Sequence, residues 1–297
     1  MKPLAIIFSS FLTCLALSPA HAEMPEWTQS QKPFRIYGNT YYVGTRGLSA
    51  ILIASPQGLV LIDGTLPQNA AQIETNIKAL GFRVTDVKVI LNSHAHSDHA
   101  GAIAALVRDS GARVEASEAG ARELMLGGKD PEDPQYGEAP LYPPVAKVTT
   151  VSDGGMVRLG DLAMTAHYTP GHTPGSTTWS WQSCEAGRCE NIVYADSLSP
   201  LAAEGFHFTD DAAHPHRVED YRRGMDTIAA LPCDILLSPH PDQSHFLERV
   251  ALRDAGTKPD ALIDPTACRT YAESARARLE ARLAKERTGE SAGKAAQ

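Results

Sequence analysis

An uninterrupted apolar run of membrane-spanning length is missing from this 297-residue chain, and so is any excess of positive charge. The longest apolar stretch, Leu4 to Leu17, is broken by Ser9, Ser10 and Thr13, whereas a helix needs about 20 apolar residues to cross a bilayer. A membrane anchor is therefore not expected. Lys and Arg number 27 against 35 Asp and Glu, a formal charge of −8. Affinity for a phosphate backbone needs clustered Lys and Arg, so a nucleic-acid partner is not expected either. No GxSxG elbow offers a serine nucleophile. What remains is ordinary for a globular protein, with 43% hydrophobic and 21% charged residues and enough length for one substantial core.

Cysteine is scarce, with five in all. Cys14 falls in an N-terminal segment that has the form of a cleavable leader: Lys2, the apolar stretch, then Ala20-His21-Ala22 as a small-x-small cleavage site. The expected organisation is a signal peptide over 1–22 and one domain over 23–297, exported to an oxidising compartment (in bacteria, the periplasm). Cys184, Cys189, Cys233 and Cys268 remain, and an even count in an exported chain suggests disulfides, with three possible connectivities. Cys184 and Cys189 flank a short EAGR turn between two strand-like runs, so a local bridge is the simplest pairing. That leaves Cys233 with Cys268. Neither pair has zinc-ribbon spacing.

The densest chemistry lies in Val87 to Ala100, VKVILNSHAHSDHA. Val87, Val89, Ile90 and Leu91 read as a buried strand. His94, His96, Asp98 and His99 follow within eight residues, and AGAIAALV after them is helix-like, with Asp98 placed to cap it. Ligands collect at the carboxyl ends of strands in open α/β sheets. Imidazole and carboxylate are ligands that suit zinc. His94 and His96, two apart in extended backbone, project to the same side and can share one ion. Asp98 and His99, at the helix entrance, can serve a second.

Further along, two histidines occupy similar settings. His172 lies in TPGHTPGS after the strand-like Leu162 to Tyr168, and His240 in SPHP after Ile235 to Leu237. His167, His207, His214, His216 and His245 lack such a setting and read as strand or surface residues. Between the halves, Gly127 to Pro144 is rich in Gly, Pro and Asp, a long loop of the kind that is functional or disordered. Helices are expected over Gln68 to Leu80, Glu118 to Leu126, Arg217 to Leu231, Phe246 to Ala255 and Pro265 to Glu286. Thr288 to Gln297 reads as a disordered tail.

HxHxDH resembles the signature of the metallo-β-lactamase superfamily, and the order of the loops resembles its subclass B3. FRIYGNTYYVG, LIDGT, DPQYG, WSWQSCEAGRC, YADSLSP and LPCDILLSPHPD all look like B3 enzymes and cover nearly all of the chain beyond the leader. The resemblance implies an α/β fold, a four-layer αβ/βα sandwich, and two zinc ions per chain. His94, His96 and His172 would hold the first, and Asp98, His99 and His240 the second. It implies hydrolysis of the β-lactam amide of penicillins, cephalosporins and carbapenems by a metal-bound hydroxide that Asp98 helps to orient. Ser197 and Ser199 would bind the substrate carboxylate, Gln135 would line the pocket, and Asp63 would lie beneath the metals. A small-molecule substrate and a monomer are expected.

Two rival readings come from other classes. Thioester and lactone hydrolases of the same fold usually bridge their metals with an aspartate near Asp196, and Asp196 is present. A non-enzymatic zinc-binding protein is the second rival, but purely structural zinc sites are closed by four protein ligands.

Overall fold

Strands that are buried on both faces read as near-continuous apolar runs, and Val87–Leu91 (Lys88 apart) and Ile235–Leu237, which lead into histidine loops, come close to this. The computed structural model describes residues 24–209 and 214–289. Seven strands form the first sheet in sequence order: β1 (Phe34–Tyr37), β2 (Thr40–Tyr42), β3 (Ile51–Ser55), β4 (Gly58–Ile62), β5 (Val87–Leu91), β6 (Arg113–Ala116) and β7 (Val148–Thr150). Pairing is antiparallel from β1 to β4 and parallel from β4 to β7. The second sheet is ordered β12 (Ile235–Leu237), β11 (Arg188–Tyr194), β10 (Thr177–Glu185), β9 (Leu162–Tyr168), β8 (Met156–Leu159). Only its β11–β12 pair is parallel.

Alternation along each strand then builds three apolar layers. Ile51, Ile53, Val60, Ile62 and Leu91 meet Trp179, Ile192, Tyr194 and Leu237 between the two sheets. The opposite faces, through Leu52, Leu61 and Ile90, are covered by Ile73 and Ile77 of α1 (Ala70–Ala79) and Ile103 and Leu106 of the helix beyond the histidine loop. That helix comes in two pieces, α2 (Ser97–Ala100) and α3 (Ile103–Ser110), and α4 (Glu118–Leu126) adds Leu124 to the same layer. Behind the second sheet, Val193 and Leu236 pack on Tyr221 and Met225 of α5 (Arg217–Ala230). α6 (Phe246–Asp254) sends Phe246 to the central layer, and α7 (Ala267–Thr288) sends Tyr271, Ala275 and Leu279 to the outer one. Helix, sheet, sheet, helix is the expected αβ/βα sandwich. Burying each such Ile, Leu or Val side chain is worth roughly 1.5–3 kcal/mol.

Three local expectations need correction. Asp98 does not cap a helix: His96 is the N-cap residue of α2 and makes no side-chain cap bond. The Asp98 carboxylate is instead drawn to His99 and His240. Strands β10 and β11 run on through the cysteines, because Cys184 and Cys189 pair across the ladder and the chain turns at Ala186 and Gly187, both at positive φ. Thr288 belongs to α7 rather than to the tail. The expected leader and residues 290–297 lie outside the described residues. Both expected disulfides are formed, Cys184–Cys189 and Cys233–Cys268. Among the described residues, no helix is long and apolar enough to cross a membrane.

Candidate metal centre

Strand ends deliver the polar residues. Asp63 follows β4 directly and takes φ +63, a left-handed conformation uncommon outside glycine. Its buried carboxylate accepts hydrogen bonds from Asn92 Nδ2 (3.0 Å), Ser93 N (2.8 Å), Ser93 Oγ (2.6 Å) and Tyr194 Oη (2.8 Å). Three of these bonds pin the residues that open the histidine loop, and the fourth ties Asp63 to Tyr194 of β11. Burial raises the Asp63 carboxyl to about 7, against the lowering effect of those donors. It stands beneath the histidines, with Oδ2 4.0 Å from His99 Nδ1. Gly171 shapes the next loop, since a Cβ there would come within 2.1 Å of the Tyr221 ring.

The three rings of His94, His96 and His172 stand almost mutually perpendicular, with centroids 4.7 to 4.9 Å apart. One potential ligand atom from each lies within 4.8 Å of the others. Each ring has one nitrogen anchored from behind. His94 Nδ1 is 2.7 Å from Asp196 Oδ1, His96 Nε2 is 2.9 Å from Asp133 Oδ2, and His172 Nδ1 is 2.8 Å from the Ser199 carbonyl. The other nitrogen of each ring is left for the cluster, and His94 Nε2 is buried with no hydrogen-bond partner among the described residues. Such outer partners are what orients metal-ligating imidazoles.

Beside them, Asp98 Oδ2 is 3.0 Å from His99 Nε2 and 3.3 Å from His240 Nε2, and the two nitrogens are 3.2 Å apart. Three donor atoms of this kind converging on one point suit a common cation. Burial, with neighbouring imidazoles, holds His94 and His172 well below the ordinary histidine value, and burial lowers His99. Asp98 stays well below the carboxylate range, because His99 and His240 outweigh the effect of burial. These are the neutral imidazoles and the ionised carboxylate that metal binding requires. His96 differs: burial lowers it, but Asp133 raises it to about 9, so a metal there must displace a proton.

A cleft of about 1100 Å³ opens over the cluster. His96, Asp98, His172 and His240 reach its floor, and Gln135, Ser197 and Ser199 line it. Ser197 Oγ is buried without a hydrogen-bond partner among the described residues. On the near side, Trp27 lies 5.5 Å from the His240 ring, centroid to centroid.

Residues 43–184 match the model of the metallo-β-lactamase superfamily. The Rm3 metallo-β-lactamase is 49% identical over 88% of this chain and 97% of that one, with a TM-score of 0.85. MEM-A1, a subclass B3 metallo-β-lactamase from a soil metagenome library, is 50% identical over 89% of this chain and 99% of its own, with a TM-score of 0.86. The chain belongs to subclass B3 of the metallo-β-lactamases. MIM-1 from Novosphingobium pentaromativorans is a more distant likeness, 42% identical over 89% of this chain and 93% of that one, with a TM-score of 0.81. A hydroxyacylglutathione hydrolase from Anaeromyxobacter dehalogenans (strain 2CP-C) is 36% identical over 93 residues, and the chain spans 28% of its length.

Every site residue expected of this B3 chain is brought to one place, the six candidate ligands on three loops and Gln135, Ser197 and Ser199 on the cleft wall. Sequence reasoning missed Asp133, Trp27 and Tyr271. Asp133 opens the DPQYG stretch in a Pro-rich loop with several acidic residues, and nothing local gave its carboxylate a role. Trp27 sits ahead of β1, outside every motif that the sequence singles out. Tyr271, whose hydroxyl donates to the Asp196 carbonyl at 3.1 Å, sits in a helix 75 residues away and gave no signal.

Proposed function

We infer that this B3 metallo-β-lactamase hydrolyses the β-lactam amide bond of antibiotics in a zinc-dependent reaction and so confers resistance. We further propose two zinc ions per chain, one on His94, His96 and His172, the other on Asp98, His99 and His240. The orphaned His94 Nε2 and the three converging donor atoms of Asp98, His99 and His240 support this reading. Zinc, when bound, supplies Lewis acidity and a water activated at neutral pH.

The chain's own groups then have distinct tasks. Asp98, ionised and 16% exposed at the cleft floor, is placed to hold a proton of the attacking water. Ser197 Oγ, without another partner, donates to the substrate carboxylate, with Ser199 and Gln135 on the same wall. Asp133, Asp196 and the Ser199 carbonyl hold the imidazoles in one orientation, so no reorganisation is needed during the reaction. The mature chain is proposed to be a single domain from residue 23, acting as a monomer in the periplasm.

The observation that carries the choice of substrate is the position of Asp196. A thioester or lactone hydrolase usually turns this carboxylate onto its metals, and here Oδ1 accepts from His94 Nδ1 instead. Turnover of nitrocefin, set against turnover of S-lactoylglutathione and an acyl lactone, tests the reading. Thioester or lactone cleavage without nitrocefin turnover would defeat it.

A further inference from the structure

We infer that Tyr271 is a positioning residue for the metal centre, its one hydroxyl holding together two of the loops that carry the site. The inference rests on the metal reading of the cluster, though not on the identity of the substrate.

β11 and β12 are parallel neighbours, and the last pair in their register is Tyr194 with Leu237. Their carboxyl ends therefore lie side by side, each opening into a loop of the site. The loop after β11 holds Asp196, which backs His94, together with Ser197 and Ser199. The loop after β12 holds His240. The last backbone bond between the two runs from Ala195 N to the Leu237 carbonyl at 2.9 Å. Past it, among the described residues, no backbone bond joins one loop to the other. Keeping Asp196 and His240 in register falls to side chains.

Tyr271 does this from α7. It is 5% exposed, and its hydroxyl lies 3.1 Å from the Asp196 carbonyl and 3.1 Å from Gln243 Oε1. Gln243 belongs to the 3-10 turn Pro241–Ser244, and its N–H donates to the His240 carbonyl at 3.1 Å. A hydroxyl has one hydrogen, shared here in a three-centre bond between one acceptor on each loop. The hydroxyl's own place is set from behind. Cys268 lies three residues earlier on the same face of the helix and is bridged to Cys233, just before β12. Asp196 is thereby fixed at three points. Its N–H donates to Thr178 Oγ1 at 3.1 Å, its carboxylate meets His94 Nδ1, and its carbonyl accepts from Tyr271. Without the hydroxyl the third point is lost. The Asp196–Ser197 peptide would be free to tilt, carrying the carboxylate behind His94 and the Ser197 hydroxyl with it. The turn that follows His240 would lose its tie to that loop.

Metal readouts on the zinc-loaded enzyme test this apart from catalysis. Tyr271→Phe keeps the ring and deletes only the hydroxyl. It should weaken zinc retention against dipicolinate by about three- to tenfold, the worth of one hydrogen bond, and alter the visible spectrum of the cobalt-substituted protein. It should also shrink the rise in Tm that zinc produces over the metal-free protein, since a ligand stabilises only as far as it binds the folded state. A role in packing alone would lower the Tm of both forms and leave that rise unchanged. Such a result would overturn the inference, as would wild-type retention and spectrum. Gln243→Leu removes one acceptor, leaves Tyr271 in place and does not depend on the folding of Tyr271→Phe. It should weaken retention too, and the double variant should be no weaker than Tyr271→Phe alone. Unchanged retention in Gln243→Leu, or effects of the two that simply add, would overturn the inference. Wild-type protein that holds zinc but leaves nitrocefin intact would defeat the proposed function and leave these outcomes decisive.

Discussion

His94 Nδ1 and Asp196 Oδ1 lie 2.7 Å apart, both side chains fully buried. The carboxylate therefore serves the imidazole from behind, and His94 Nε2 is the nitrogen presented to the cluster. Asp196→Asn keeps an acceptor for the N–H but removes the charge that raises ligand basicity. Zinc affinity at the His94, His96 and His172 group should fall by about 10–100-fold, while the Asp98, His99 and His240 group keeps its ion. Stepwise chelator titration of the variant would show which ion leaves first. Loss of the second ion alone would mean that Asp196 bridges the metals.

Removing the metal should abolish turnover altogether. Dipicolinate or EDTA is expected to stop nitrocefin hydrolysis, added zinc to restore it, and clavulanate to have no effect, since hydrolysis by a metal-activated water needs no serine for the inhibitor to acylate. Metal analysis should give two zincs per chain. A preparation that saturates at one ion in excess zinc would refute the two-ion assignment.

Ser197→Ala removes a donor whose oxygen has no other partner among the described residues. A hydrogen bond to the substrate carboxylate exists in ground and transition states alike, so KM should rise with kcat little changed. The loss should not exceed about 1.5–3 kcal/mol, the range for a bond to a charged group. Zinc content should stay the same. A fall in kcat at constant KM would place Ser197 in the chemical step instead.

The strands, the layers and the clustering of the candidate ligands were legible because each rests on local signals. Largely apolar strands such as Val87–Leu91 and Ile235–Leu237 end in histidine-bearing loops, and period-2 patterning sets which residues face the second sheet. The groups that hold the ligands were not legible. Asp133 reaches His96 across 37 residues and Asp196 reaches His94 across 102, so no spacing rule connects them. Asp98 shows the opposite failure. Its place before an apolar run suggested a helix cap, and attraction to His99 and His240 overrode that local preference.

The disulfide between Cys233 and Cys268 spans 35 residues and ties the start of α7 to the entrance of β12. Tyr271, less than one turn further along α7, donates to the Asp196 carbonyl. In the loop-entropy model a closure of this length is worth about 3–4 kcal/mol. Cys233→Ser with Cys268→Ser should lower stability by about that much in urea unfolding, and the Cys184–Cys189 pair, spanning 5 residues, should matter less. Alkylation of Cys233 in unreduced wild-type protein would refute the pairing.

A pH-dependent contribution is expected at the far end of the same helix. Glu286 takes the Phe208 N–H on Oε1 and the Thr209 N–H on Oε2, both at 2.9 Å, and pairs with Arg282 at 2.7 Å. Arg282 in turn donates to the Phe206 carbonyl at 2.7 Å. One carboxylate thus fastens the 206–209 segment to α7. Burial alone would raise its pKa, but the Phe208 amide, Arg282 and the Thr209 amide together bring it below the ordinary value of 4.5. A depressed carboxylate contributes stability that is fully present above its unfolded value and is lost as pH falls through the folded one. Glu286→Gln should therefore be less stable than wild type at neutral pH, by about 1.5–3 kcal/mol at most. The gap should narrow as the pH drops below 4.5. Urea unfolding of both proteins at neutral and acidic pH measures it, and a gap that stays constant across that range would mean that the charge on Glu286 does not hold the segment.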